Sequence, residues 1–306
     1  MKVVLKTMCR PRPAGITLEA SMNEQKTAVL TDSSCDVAPE FLQKYPEIHV
    51  LPMHIMYPEK DYLDGVDIDP LMTYRRFPAE FPSTSTPNIG EVQEMIERIR
   101  QEGYEKIIAI SISSGLSGTY NAIRLGAEEI EDMEIFTFDT KNVSVGTGIF
   151  VIWAAYKLRN GATYEEVCQG LKDKIWDSKV MFYMDTLAYL QRGGRIGKVT
   201  SIVGTALRLK PIISCNTDGI YYTVATIRGA KMAKKKLLDE VVKFIGDDPV
   251  WIIIGHGDAE AEAREMEKMI MERVKSKRIL YIKQITATMA VNTGPGLIGV
   301  LAFKNP

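Results

Sequence analysis

A chain of 306 residues, 45% hydrophobic and 25% charged, is long enough to bury about two domain-sized cores. Its 38 Lys and Arg balance 39 Asp and Glu to a net charge of -1, which argues against broad electrostatic binding to nucleic acid or to an anionic membrane surface. No apolar run approaches the roughly 18–20 residues of a membrane span, and the scattered Cys9, Cys35, Cys168 and Cys215 match neither a zinc spacing nor a disulfide framework, so a reducing cytoplasmic setting without a bound metal is expected.

Residues 1–26 are interrupted by Pro11, Pro13 and Gly15 and lack the apolar core of a secretory signal, so they read as a mobile extension. From Thr27 short β-rich runs alternate with amphipathic helical stretches, the pattern of a mostly parallel sheet flanked by helices, and the fold class is α/β. The pattern predicts strands over 28–31, 49–56, 106–111 and 135–138, with helices near 88–102, 117–131 and 147–159. Asn88 with Glu91, and Thr163 with Glu166, have the spacing of a capping box. Beyond residue 178 the character changes to a strand over 180–184, then a helix opened by Asp185 and stopped by Gly193-Gly194. Runs over 211–214 and 220–224 flank Asp218-Gly219, a hairpin signal that adds antiparallel pairing. A helix over 228–245, a strand over 250–254, a helix over 259–274 and strands over 279–284 and 297–303 complete a mixed α/β second domain. The expected domains are therefore 27–178 and 179–306. Lys231, Lys234, Lys235 and Lys236 read as a solvated helix face.

Four polar segments could carry chemistry. SISSGLSGTYNA, residues 111–122, follows the apolar run IIAIS and precedes a helix, which puts free amides and hydroxyls where an anion gains about 0.3–2 kcal/mol from the helix dipole. The competing reading is that Ser117 only caps the helix. PSTSTPN, residues 82–88, reads by itself as a hydroxyl-rich loop. TDSSCD, residues 31–36, lies at the carboxyl end of the first strand, where α/β sheets place ligands, or else caps a helix beginning near Ala38. LQRGGRIGK, residues 190–198, gathers Arg192, Arg195 and Lys198 around three glycines. Gly197-Lys198 fails as a P-loop because Arg192 stands five positions before Gly197 and Val199 follows the lysine. Gly115 to Thr119 resembles a nucleophile elbow with Thr119 in place of the last glycine, so a serine hydrolase of acyl esters using Ser117 and His256 is the alternative activity. His49 and His54 read as structural histidines, and no dinucleotide-binding GxGxxG is present.

Taken in order, TDSSCD, TSTPNIGE, SSGLSGTY, LQRGGRIGK, KPII with its charged hairpin, and TGPGLIG resemble the DegV family over residues 27–303. The resemblance implies a two-domain α/β protein, not itself an enzyme and without a cofactor, that holds a long-chain fatty acid between its lobes. It also implies a role as the acyl-carrier subunit of a bacterial fatty acid kinase, presenting the carboxylate to a separate ATP-binding subunit. Matched motif by motif, Thr84 and Ser85 would donate to the carboxylate, together with Ser113 or, preferably, Ser114, while Gly115 would let the backbone approach closely. Arg195 and Arg228 would contact phosphate or the partner. Thr86 replaces a glutamine of the family pattern, and Asn292 stands where a histidine is common and would face the ligand oxygen without becoming cationic. A palmitate-length tail offers about 14 methylenes at roughly 0.8 kcal/mol each, an upper bound of ~11 kcal/mol before ordering costs. Affinity would then come from the tail, leaving hydroxyls and amides to orient the carboxylate without a buried counter-ion. Met53, Met56, Met181, Met184 and Met289 could line an adaptable apolar tunnel or simply fill core.

Overall fold

The computed structural model describes residues 22–202 and 209–306. Strands β1 (Thr27–Asp32), β2 (Ile48–Leu51), β6 (Lys106–Ser111) and β7 (Glu134–Asp139) form a wholly parallel sheet in the order β2-β1-β6-β7. All six residues of β1 are buried, as a central parallel strand covered on both faces requires. Ala28, Leu30, Ile107 and Ala109 face helices α3 (Ile89–Gln101) and α4 (Thr119–Glu128), whereas Val29, Ile108 and Ile110 face the opposite way. Helix α3 starts at a complete capping box, with Asn88 Oδ1 accepting from the Glu91 amide at 3.0 Å and Glu91 Oε2 accepting from the Asn88 amide at 2.8 Å. The second predicted box opens α6 (Tyr164–Asp173) in the same manner.

The six-stranded sheet runs β10-β9-β8-β13-β11-β12, from β8 (Ser178–Tyr183), β9 (Leu209–Cys215), β10 (Tyr221–Arg228), β11 (Val250–His256), β12 (Lys277–Gln284) and β13 (Ile298–Lys304). Only β11 and β12 pair in parallel; the remaining pairs are antiparallel, including the hairpin β9–β10. Helices α8 (Ala230–Ile245) and α9 (Glu260–Arg273) cover its outer face through Leu237, Leu238, Val241, Ala263, Met266 and Ile270. Between the two sheets lies α5 (Val145–Arg159), buried on nearly all sides, which merges both inner faces into one apolar core. Phe150 marks the join, edge-on to Phe138 of the parallel sheet at 5.5 Å and to Phe303 of the mixed sheet at 5.6 Å. A third sheet, β4-β3-β5, from β3 (His54–Tyr57), β4 (Lys60–Leu63) and β5 (Ser83–Ser85), packs Ile55 and Tyr57 against α10 (Ala287–Thr293) and Ile68. Short helices α1 (Pro39–Lys44), α2 (Pro70–Arg76) and α7 (Ala188–Arg192) complete the described elements.

Several local expectations are corrected. The run over 49–56 is two strands in different sheets, because Pro52 has no N–H for a ladder and turns the chain between them. Residues 83–85 pair with His54, Ile55 and Met56 and are strand, not loop. Asp185 does not open α7; it pairs with Lys210 Nζ at 2.7 Å, and the helix begins three residues later. Arg228 ends β10 rather than starting a helix, since Gly229 at φ +83° breaks the chain direction there. Residues 22–26 belong to the fold: Met22 packs on the α3 core, and Asn23 Nδ2 donates to the Thr27 carbonyl at 2.7 Å while its Oδ1 accepts from the Thr27 amide. Residues 1–21, with Cys9, lie outside the described residues. Lys234 and Lys236 are not merely solvated, since they pair with Glu265 and Glu240; the side chain of Lys231 lies outside the described part.

The position of α5 rests on Gly148, where an added Cβ would come within 2.2 Å of the Cys35 carbonyl oxygen. Gly148→Ala should therefore cost about 1–3 kcal/mol by forcing the helix off the 33–36 turn. A urea midpoint equal to that of the unmodified chain would show that the helix does not cross so closely.

Candidate functional site

The carboxyl ends of β1, β6 and β7 converge on one region, and buried acids from the TDSSCD segment organise it. Asp32 caps the turn Ser33–Cys35, accepts from the Ser34 amide at 3.0 Å and, through Oδ2, from the Ile112 amide at 3.0 Å. Burial raises its pKa above the ordinary value, and those donors only partly offset it. Asp36, with φ +51°, accepts from the Thr286 amide at 2.7 Å and from Lys283 Nζ at 3.3 Å, accepts from Ser144 Oγ, and offers its carbonyl to Tyr281 Oη at 3.1 Å. Asp64 accepts from the Ala287 and Thr288 amides at 3.1 and 3.3 Å and from Ser33 Oγ at 2.9 Å, so it caps α10 from a distant segment. Burial likewise pushes its pKa up. TDSSCD thus serves to dock β12 and α10 on the parallel sheet, and the helix near Ala38 starts without a side-chain cap.

Next to this network lies the serine loop. Ser113 is fully buried; its amide donates to the Asn142 carbonyl at 2.9 Å, and its hydroxyl donates to the Gly219 carbonyl at 2.9 Å while accepting from the Gly115 amide at 3.1 Å. The close backbone approach at Gly115 is to the hairpin tip, where an added Cβ would lie 2.7 Å from the Asp218 carbonyl oxygen. Ser114 donates its amide to Asp139 Oδ1 at 3.1 Å and accepts from Lys141 Nζ at 3.1 Å. Lys141 also pairs with Asp139 at 2.7 Å. Burial opposes ionisation of Asp139, yet Lys141 and the amides of Ser114 and Lys141 hold its pKa below the ordinary value. The expected carboxylate-binding segment therefore has a cation beside it. Lys141 carries no sequence signal beyond its place in DTKN, two residues after the strand-ending Asp139. Asp36, Lys141 and Ser144 all have positive φ, a concentration of backbone strain of the kind found at ligand sites.

Thr84 and Ser85 sit half-buried on β5, and Thr86 Cγ2 would lie 3.5 Å from a Cβ at Gly118, so this strand borders the serine loop. Asn292 donates to the Thr288 carbonyl at 3.0 Å within α10, and its Oδ1 faces Gly193, where a Cβ would approach to 2.4 Å. In this conformation it meets the Gly193-Gly194 turn, whereas Met289 and Thr293 of the same helix line the neighbouring cavity. That cavity lies between the start of α5 and the six-stranded sheet and is almost wholly apolar, with Val143, Val145, Val180, Phe182 and Leu297 in its wall. Its empty space is about 350 Å³, spread so thinly that its free centre is little bigger than one water. Two connections join it to the serine loop: Asn142, bonded to Ser113, precedes Val143, and the hairpin tip on Ser113 leads into Tyr221 of the wall. Of the flagged methionines, Met289 lines the cavity, Met181 and Met184 are core, Met56 is exposed, and Met53 Sδ accepts from Thr119 Oγ1.

Arg195 donates to the Gly193 carbonyl and is partly buried, while Arg228 is exposed at the end of β10. Arg192 stacks on Phe81 at 3.9 Å, and Phe77, Phe81 and Tyr189 pack together with centroids 5.0–6.1 Å apart. Two observations leave the hydrolase alternative without support. Ser117 Oγ is engaged with Thr119 Oγ1 at 2.8 Å, and His256 Nδ1 accepts from the Ala259 amide at 3.3 Å, so neither is paired with the other. Burial also lowers the pKa of His256. Ser117 does not cap α4 through its first turn in the usual way either; Gly118 is the cap residue. No cluster of three or more metal-type side chains occurs among the described residues, and none of their helices is long and apolar enough to cross a membrane.

A parallel sheet and a mixed sheet packed on one buried helix, with a small apolar cavity between that helix and the mixed sheet, define a two-sheet α/β protein. The family model described as "Uncharacterised protein, DegV family" matches residues 26–305, and the chain belongs to the DegV family. It is 38% identical to a DegV domain-containing protein of Clostridium perfringens, covering 92% of this chain and 99% of that one. Among solved structures it is similar to a fatty acid-binding DegV family protein from Thermus thermophilus, at 26% identity, 91% and 99% coverage and a TM-score of 0.82. It is also similar to a stearic acid-binding protein from Eubacterium ventriosum, at 25% identity, 91% and 98% coverage and a TM-score of 0.84.

Two predictions test this geometry. Gly219 has φ +74°, and a Cβ there would fall 1.9 Å from Ser113 Oγ, so Gly219→Ala should lift the hairpin tip and accelerate amide exchange at Gly115; unchanged exchange would contradict the contact. His54 sits between Asp61 Oδ2 at 3.0 Å and Glu91 Oε2 at 3.1 Å; desolvation lowers its pKa, but these carboxylates outweigh it and the net shift is upward. Its stabilising contribution is then complete below the ordinary value of 6.5 and fades as pH rises through the shifted value. The melting-temperature gap between the unmodified chain and His54→Gln should therefore shrink between about pH 5.5 and 8.5. A gap that widens over that range would reverse the assignment.

Proposed function

We propose that this protein binds a long-chain fatty acid, with its tail in the apolar cavity between α5 and the six-stranded sheet and its carboxylate at the rim formed by Thr84, Ser85, Ser113, Ser114 and Gly115. The observation that carries the reading is the attachment of the cavity wall to the serine loop, through Asn142 ahead of Val143 and through the hairpin tip at Gly219 ahead of Tyr221. The fatty acid-binding relatives support the ligand class. Each buried methylene contributes about 0.8 kcal/mol, so the tail supplies most of the affinity and the rim sets its direction. Lys141 offers a charge-assisted bond to the carboxylate if it swings from Ser114, and Asn292 can donate once it leaves the Thr288 carbonyl. Because the cavity is narrow, binding requires Met289, Phe182 and Tyr221 to part, a movement suited to an unbranched methionine.

The protein itself performs no chemistry on the acid in this reading. It acts in the cytoplasm of a bacterium as a carrier subunit, and a separate ATP-binding kinase subunit phosphorylates the exposed carboxylate. Arg195 and Arg228 are the guanidinium groups for phosphate or for that partner, which they can bind bidentately.

Mass spectrometry of solvent extracts from protein made in a bacterial host should find a C14–C18 acid. Thr84→Ala combined with Ser114→Ala should lower oleate affinity by about tenfold, the loss of one or two hydrogen bonds to a charged group. Unchanged affinity in the double variant would remove the head-group assignment, and an empty, oleate-indifferent chain would remove the function. Acyl-phosphate formation with a kinase subunit from the same source tests the carrier role.

A further inference from the structure

A second, wider cleft lies on the other side of Val180 from the apolar cavity, with about 720 Å³ of open space. Its character differs. Lys141 and Lys179 line it, Trp176, Tyr222 and Phe244 form an aromatic shelf, and Asn216 of the hairpin closes one end. No Asp or Glu is among its lining residues.

The charge balance defines what fits. Lys141 is largely neutralised by Asp139 at 2.7 Å. Lys179 has no carboxylate within ion-pair distance among the described residues, and its ammonium stands 6.0 Å from the Tyr222 ring centroid and 5.7 Å from that of Phe244. Cation–π contact of this kind holds a lysine in place without cancelling its charge. Lys304 also lies over Phe244, at 5.1 Å, but it is paired with Asp248 at 3.1 Å. One uncompensated positive charge therefore faces the cleft, beside an indole that is 53% exposed.

We infer that this cleft is a second ligand site, spatially distinct from the apolar cavity, for a small aromatic monocarboxylate. Its ring would lie on the shelf of Trp176, Tyr222 and Phe244, and its carboxylate would pair with Lys179. A single free ammonium matches a monoanion better than a phosphate dianion, and three aromatic faces match a flat ring better than a flexible chain. Such a ligand would also touch the hairpin that covers Ser113 and the lysine that bonds Ser114, so its binding is placed to influence the acyl rim.

The test uses the full chain with 2-naphthoate as the probe and the uncharged 2-naphthamide as its isostere, followed by calorimetry and tryptophan fluorescence, with and without saturating oleate. The expected result is one-to-one binding of naphthoate, quenching that disappears in Trp176→Leu, and affinity about tenfold above that of naphthamide. Lys179→Gln should erase that preference, and Lys179→Arg should keep it. Equal affinities for the two probes, an unaltered preference in Lys179→Gln, or displacement of naphthoate by oleate would each overturn the assignment, the last by placing the probe in the acyl cavity. Apart from the oleate competition, none of these outcomes depends on whether the chain binds oleate.

Discussion

The structure depends on two buried carboxylates that hold α10 and β12 against the parallel sheet. Asp36 and Asp64 lie in segments remote from residues 283–288, and each accepts from backbone amides at the start of α10. Removing either acceptor leaves buried donors without a partner and costs on the order of 3 kcal/mol, a large share of a typical folding free energy. Because α10 carries Met289 and Thr293 of the cavity wall, these acids set the position of that wall relative to β1 and the serine loop. They are buried charges that specify an arrangement, and their burial is tolerated because every oxygen concerned meets a donor.

From that fixed point the rest of the site follows. The β9–β10 hairpin crosses from the mixed sheet and seats its tip on Ser113, which is possible only because Gly115 and Gly219 have no side chains. The serine loop, the apolar cavity and the lysine-lined cleft are thus bordered by neighbouring turns. Val180 borders both an apolar space and a polar one, so two volumes of different chemistry share a wall.

Much of this was legible in the sequence where the signal is local. The α/β class, the two capping boxes and the Asp218-Gly219 hairpin depend on spacing within a few residues, and each has the expected form. What could not be read depends on residues far apart in the chain. The split of 49–56 was signalled by Pro52, but the pairing of β3 with residues 83–85 is a tertiary choice that made strand of a segment composed like a loop. The docking role of Asp36 and Asp64, the lysine beside Ser114 and the engagement of Asn292 with its own helix are likewise long-range or rotameric facts. The fold brings segments 31–36, 83–86 and 113–115 into one region; which of their atoms are free there is decided by side-chain partners that no spacing rule contains.

The strand order of the mixed sheet has a consequence for how the molecule is made. Strand β13 lies between β8 and β11, although it follows both in the chain. On a ribosome the earlier strands would emerge with two unpaired edges and wait for residues 298–304 to fill the gap. Until then the apolar inner face of this sheet has no seal against α5, and the nascent chain presents sticky edges that a holdase would recognise. Completion of the mixed sheet is consequently a late event, with insertion of β13 as its closing step.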